Sequence, residues 1–130
     1  MASVGVALPE DDGEVAQELV VRAAAMAQRL NGRWVAFVIC NESLPSPRAE
    51  NALRHAELAM RNGGTVFFCE GEDVAGTLLA LSAREHIDVL ILGAPARSGL
   101  LQRFRRGTVE RVVRAHRSFD VVVVGDGVQP

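Results

Sequence analysis

The sequence predicts a three-layer, doubly wound α/β fold, a five-stranded parallel sheet with four helices on its faces. Three observations predict it. Apolar runs of strand length recur five times, and they are continuous, as strands covered on both faces are. A segment with helical spacing separates each run from the next, the alternation that builds parallel sheets through helical crossovers. The length, 130 residues, fits one domain over the whole of 1–130 and is enough to bury a core without disulfides or a metal.

Taken in order, "SVGVAL" (Ser3 to Leu8) is a strand stopped by Pro9, and "PEDDG" is a loop whose acids suit a helix start. "EVAQELVVRAAAMAQRL" (Glu14 to Leu30) places Val15, Leu19, Ala23, Met26 and Leu30 on one helical stripe. Asn31 and Gly32 then close the helix as C-caps do. "WVAFVIC" (Trp34 to Cys40) is a strand and "NESLPSP" a loop. "RAENALRHAELAMRN" (Arg48 to Asn62) is a second helix, ended by Gly63 and Gly64. "TVFFCE" (Thr65 to Glu70) is a third strand. "DVAGTLLALSAREH" (Asp73 to His86) is a third helix with Asp73 as its N-cap. "DVLILGA" (Asp88 to Ala94), "TVERVVRAH" (Thr108 to His116) and "DVVVVGD" (Asp120 to Asp126) complete the series as strand, helix and strand.

The composition bounds the chemistry. Every basic residue is Arg, which excludes a P-loop lysine and any lysine nucleophile. The net charge of −2 is unevenly divided: residues 1–96 carry seven Arg against thirteen acids, residues 97–130 seven Arg against three. The arginine-rich end suits a solvated face, the phosphates of a ligand or an acidic partner surface. A negative total and few interleaved aromatics argue against nucleic acid. The apolar runs are too short to span a bilayer, and the first residues do not resemble a signal peptide, so no membrane contact and a cytoplasmic location are expected. Cys40 and Cys69 end apolar runs and read as small buried hydrophobes. His55, His86 and His116 lack the spacing of metal ligands and read as structural, and no metal site is expected. Ser82 and Ser98 have no base near them in sequence, so no catalytic assembly is expected.

In doubly wound sheets ligands bind outside the carboxyl ends of the strands, at the point where strand order reverses. The candidate site therefore lies in the loops after Leu8, Cys40 and Gly93. The stretch "ILGAPARSGLLQRFRRGT" (Ile91 to Thr108) is the richest of them. Glycine lets backbone N–H groups approach phosphate oxygens, and a hydroxyl at a helix start adds a donor at the positive end of a helix dipole. Gly107 and Thr108 offer both, while Arg97 or Arg103 can add charge-assisted hydrogen bonds.

This chain resembles the universal stress protein domain, a fold also described as adenine nucleotide alpha hydrolase-like. The most specific part is Gly71 to Gly125: "GEDVA" ahead of the third helix, "DVLILG" at the fourth strand, the Arg/Ser/Gly loop, then "GTVERVVRAH" and "DVVVVG". Within the family it is similar to the cytoplasmic module of Kdp-type potassium-responsive sensor histidine kinases, on "GRWVAFVI", "ALRHAELAMRNGGTV" and "FDVVVVG". No kinase segment stands in these residues.

The resemblance implies a non-catalytic regulatory or sensory module that binds ATP or cyclic di-AMP, with Mg as a potential companion. The implied nucleotide contacts are Leu8, Pro9, Cys40, Gly93, Ala96, Arg97, Arg103, Gly107 and Thr108. It also implies a homodimer paired along the edge strand Val121 to Val124, or contact with other domains of a parent protein. The binding pattern of the family, Gly-x₂-Gly-x₉-Gly-(Ser/Thr), is altered: Ala96 stands for the second glycine, and ten residues separate it from Gly107. Pro95 removes a backbone donor from the turn. Glu10, Asp11 and Asp12 replace both the Asp that ends the first strand in ATP-binding members and the Ser-x-Ser of some cyclic di-AMP sensors. The alternative is a degenerate pocket in a dimerisation or protein-interaction domain.

Overall fold

The computed structural model describes residues 1–10, 14–93, 106–115 and 119–124. The elements follow the predicted order: β1 (Ser3–Leu8), α1 (Val15–Arg29), β2 (Arg33–Ile39), α2 (Pro47–Arg61), β3 (Thr65–Cys69), α3 (Val74–Arg84), β4 (Val89–Gly93), α4 (Arg106–Ala115) and β5 (Asp120–Val124). The five strands form one sheet in the order β3-β2-β1-β4-β5, and every pairing is parallel.

The path explains the layers. From β1 the chain moves outward through β2 to β3, then crosses back over β1 to β4 and β5. Right-handed crossovers in opposite directions must lie on opposite faces of a sheet. Accordingly α1 and α2 pack with Val4, Val6, Leu8, Trp34, Ala36, Val38, Cys40 and Ile91. On the other face α3 and α4 pack with Ala7, Val35, Phe37, Ile39, Leu90 and Leu92. The period-2 alternation of strand side chains divides each strand between these two cores. All six residues of β1 are buried, as befits the strand with neighbours on both edges.

Local chemistry sets the element ends. Helix α2 starts one residue earlier than its apolar pattern predicts. Ser46 caps it by accepting from the Ala49 N–H at 3.1 Å, and Pro47 fills the first helical position, where its missing N–H costs nothing. Asp73 caps α3 as predicted, accepting from the Gly76 N–H at 3.2 Å. Helix α4 begins at Arg106, not Thr108, so Gly107 is already helical and Thr108 stands in the first turn.

Three helices end in the same way. Asn31 (φ 55°), Gly63 (φ 86°) and His86 (φ 55°) each take the left-handed conformation. The following N–H groups of Gly32, Gly64 and Ile87 return to the carbonyls of Ala27, Ala59 and Ser82 at 2.8–2.9 Å. At the first of these stops Asn31, not Gly32, makes the turn. Gly32 is instead needed for close approach, because a Cβ there would collide with the Ala2 carbonyl.

The amino end of the sheet is closed by its own polar groups. The Asp88 carboxylate accepts from the Ser3 N–H at 2.8 Å, and Arg33 donates to the Ser3 hydroxyl at 3.0 Å and the Glu85 carbonyl at 2.8 Å. A comparable tightness exists at Gly64, where a Cβ would lie 2.6 Å from the Trp34 ring. At Gly93 a Cβ would make an ordinary 3.4 Å contact with Val15. Thermal or denaturant unfolding should therefore separate the two: Gly64→Ala loses about 1–3 kcal/mol through overpacking, and Gly93→Ala unfolds close to wild type.

Candidate functional site

At the carboxyl end of the sheet a cleft of about 440 Å³ opens between the tips of β1 and β2 and the first turns of α3 and α4. Its floor and apolar wall are Ala7, Leu8, Pro9, Phe37, Ile39 and Val74. Its polar rim is Glu10, Asn41, Arg48, Glu72, Asp73, Thr108 and Arg111. A volume of this size, part apolar and with a few convergent polar groups, suits a small-molecule ligand. It lies where the reversal of strand order predicts a crevice, with α4, the helix after β4, as the wall facing β1.

Each rim is held by contacts between distant segments. The chain leaving β1 is clamped from α2. His55, buried, has Nδ1 2.8 Å from the Pro9 carbonyl; Asn51 donates to the Glu10 carbonyl at 3.1 Å; and Arg48 pairs with the Glu10 carboxylate at 3.4 Å and that of Glu42 at 3.6 Å. The chains leaving β2 and β3 are joined by a reciprocal pair: Asn41 Nδ2 donates to the Gly71 carbonyl at 3.0 Å, and the Gly71 N–H donates to Asn41 Oδ1 at 2.7 Å. Gly71 in turn sits tightly beside the Thr77 hydroxyl, which leaves no room for a Cβ.

The shortest polar contact described on the rim joins α3 to α4. Arg111 Nη1 donates to Asp73 Oδ1 at 2.6 Å and Nη2 to Oδ2 at 3.2 Å, a two-pronged guanidinium–carboxylate pair. Asp73 thus serves two masters, the Gly76 N–H of its own helix and the Arg111 fork. The guanidinium, and after it the Gly76 N–H, hold the Asp73 carboxyl below the ordinary aspartate range, while Asp73 raises Arg111 further.

The sequence-predicted site residues fall into three groups. Leu8, Pro9 and Thr108 line the cleft. Cys40 and Gly93 do not line it: Cys40 lies in the core beneath α1 and α2, and Gly93 ends β4 against Val15 and Leu19; Gly107 stands in the first turn of α4. Burial is the main cause that pushes the Cys40 thiol up, with a partial offset from its hydrogen bond to the Glu42 carbonyl at 3.6 Å. Ala96, Arg97 and Arg103, together with Asp11 and Asp12, lie outside the described residues.

Sequence reasoning did not single out Asn41, Arg48 or Arg111 for the site, and it read Asp73 as a helix cap only. The capping signal was present, yet its second partner stands 38 residues away. Among the described residues no cluster of three or more His, Cys, Asp or Glu is arranged to hold a metal, and no helix is long and apolar enough to cross a membrane.

Comparison with known proteins places the fold. No family model matches the chain, and no curated protein does. Solved structures do match. A universal stress protein crystallised in complex with cAMP superposes with a TM-score of 0.65 at 21% identity, over 95% of each chain. The universal stress protein from Archaeoglobus fulgidus in complex with dAMP gives 0.66 at 11% identity, over 95% of this chain and 97% of that one. UspA from Lactobacillus plantarum gives 0.64 at 21%, over 95% and 97%. The α/β architecture with its five-stranded parallel sheet is that of universal stress proteins.

The Asp73–Arg111 pair has a direct readout. In a carbon-detected NMR titration the Asp73 carboxyl should protonate below the ordinary aspartate value and return upward in Arg111→Gln. Because its folded pKa is depressed, the stability it contributes is present above the unfolded aspartate pKa and is lost as pH falls through the folded one.

Proposed function

We propose that this chain is a non-catalytic regulatory module of the universal stress protein type that binds an adenine nucleotide in the cleft at the carboxyl end of its sheet. The observation that carries the reading is the cleft itself. It stands at the reversal of strand order, and Leu8, Pro9 and Thr108, three contacts expected from sequence, converge on it from β1 and α4. The two structural neighbours that hold cAMP and dAMP support the choice of ligand class.

The residues divide the ligand in two. Leu8, Pro9, Ile39 and Val74 offer an apolar surface to a flat base, and Thr108 and Arg111 offer donors to a phosphate. The described rim carries three acids, Glu10, Glu72 and Asp73, against Arg48 and Arg111, and both arginines are already paired. Such a rim favours a ligand with one phosphate over one with three. A triphosphate would need Mg, or help from Arg97 and Arg103, to offset repulsion. ATP and cyclic di-AMP therefore remain members of the proposed class, with AMP-sized ligands better matched to the described rim. On this reading residues 1–130 act as one cytoplasmic unit, free-standing or within a potassium-sensing kinase.

Isothermal titration with AMP, cAMP, ATP and cyclic di-AMP, with and without magnesium, tests it. Saturable binding weakened roughly tenfold by Thr108→Ala is expected, the order of one hydrogen bond to a charged group. Absence of binding by any of the four would remove the nucleotide reading.

A second reading concerns assembly. Strand β5 is an edge of the sheet, and it presents half-buried Val121 and Val122 and exposed Val123 along a short apolar strand. Apolar edges invite pairing with another strand, so a second copy joined through β5 is proposed. Sedimentation over a wide concentration range should show a dimer that Val123→Lys dissociates; a monomer at all concentrations would exclude it.

A further inference from the structure

We infer that Arg111 is the anion-receiving residue of the cleft and that Asp73 occupies its guanidinium as an internal stand-in for the ligand's phosphate. This rests on the cleft being the nucleotide site.

Four observations carry it. The Asp73 carboxylate meets Arg111 through two near-parallel N–H···O contacts, 2.6 and 3.2 Å, the same fork that binds a phosphate monoester. Both side chains line the cleft rather than a closed interior, with 59% of Arg111 and 57% of Asp73 exposed, so water and salt can replace the pair at little cost. Thr108 and Arg111 stand three residues apart on α4 and both reach the cleft, so one anion could be met by a hydroxyl and a guanidinium from a single helical face. Lastly, Asp73 has a second partner. When Arg111 turns to a ligand, the carboxylate keeps the Gly76 N–H at the start of α3 and is not left as an orphan charge.

The exchange gives the pair a regulatory consequence. Asp73 begins α3 and Arg111 belongs to α4, so their bond ties the two helices across the cleft mouth. A phosphate that takes Arg111 releases that tie. The cleft thus discriminates by competition: a neutral nucleoside has no means of opening the pair, whereas a phosphate monoester has.

The test is a double-mutant cycle read by titration calorimetry with AMP, inorganic phosphate and adenosine on the full chain. Asp73→Asn keeps a good N-cap residue but removes the competing charge, so AMP should bind several-fold more tightly. Arg111→Gln should weaken AMP roughly tenfold or more, the order expected for a lost two-pronged contact to a charged group. In the Arg111→Gln background, Asp73→Asn should give little further change in AMP affinity. Adenosine should bind all four proteins alike, and circular dichroism melts should confirm that each is folded.

An equal gain from Asp73→Asn in both backgrounds would mean simple removal of a negative charge and would overturn the competition. AMP binding unchanged in both single variants would overturn the role of Arg111 while leaving the nucleotide site standing. Inorganic phosphate bound as tightly as AMP would show a bare anion site and would overturn the nucleotide reading together with the discrimination built on it. If AMP and adenosine both fail to bind wild type and Asp73→Asn, the cleft is not the nucleotide site and the inference falls with it.

Discussion

Strand β1 has parallel partners on both edges and helices on both faces, and the rest of the structure follows from that confinement. Its alternate residues feed two different cores: Val4, Val6 and Leu8 meet α1 and α2, while Ala7 faces α3 and α4. Gly5 belongs to the second side, where a Cβ would approach Phe37 and Ile87 within 3.0–3.3 Å. A strand so enclosed holds a polar side chain only at Ser3, where Arg33 satisfies the hydroxyl, and the sheet can only grow outward from it in two directions. Growth in two directions under a single crossover hand produces the reversal of strand order, and the reversal produces the crevice.

The two ends of the sheet are treated differently by the same kinds of residue. At the amino end, Ser3, Arg33, Asp88 and the Glu85 carbonyl satisfy one another and close the surface. At the carboxyl end, pairs of equal quality form around an opening instead of across it. Asn41 with Gly71, and Glu10 with Arg48, Asn51 and His55, fix the rims in place. Such pre-arranged rims reduce the ordering cost of binding, which is one reason ligand sites are usually formed before the ligand arrives. The Asp73–Arg111 pair joins two helices through solvent-exposed side chains, and among the described residues it is the contact best suited to change partner.

The fold was legible in the sequence because buried parallel strands leave an unmistakable trace, continuous apolar runs such as "WVAFVIC" separated by helical spacing. Helix boundaries were less so. The start of α2 depended on recognising Ser46-Pro47 as cap and first residue, and the end of α1 on Asn31 rather than the adjacent glycine taking the left-handed turn. Part of the lining of the candidate cleft was legible too, Leu8 and Pro9 from where crevices form in such sheets and Thr108 from a hydroxyl at a helix start. The position of Cys40 could have been read more closely. It shares strand parity with Trp34, Ala36 and Val38, so it faces α1 and α2, while Ile39 and Asn41 point to the cleft. The Asp73–Arg111 and His55–Pro9 contacts were not legible at all, because they join segments 38 and 46 residues apart and exist only once the helices have docked.

The uneven charge of the sequence gains a structural meaning from that docking. In the sequence the acidic portion, residues 1–96, and the arginine-rich portion, residues 97–130, stand apart, and the second suits a solvated face, the phosphates of a ligand or an acidic partner surface. In the folded chain α3 brings an acid from the first portion against an arginine from the second, at the mouth of the cleft. The excess of arginine therefore does not require an external acidic surface to be satisfied at this point, since one of its members is already answered from within. It also means that the cleft presents to a ligand not a bare positive charge but a charge held in reserve. An anion must outcompete Asp73 for the Arg111 fork, and a phosphate, with more charge than a carboxylate and the same two-pronged fit, is the group equipped to do so.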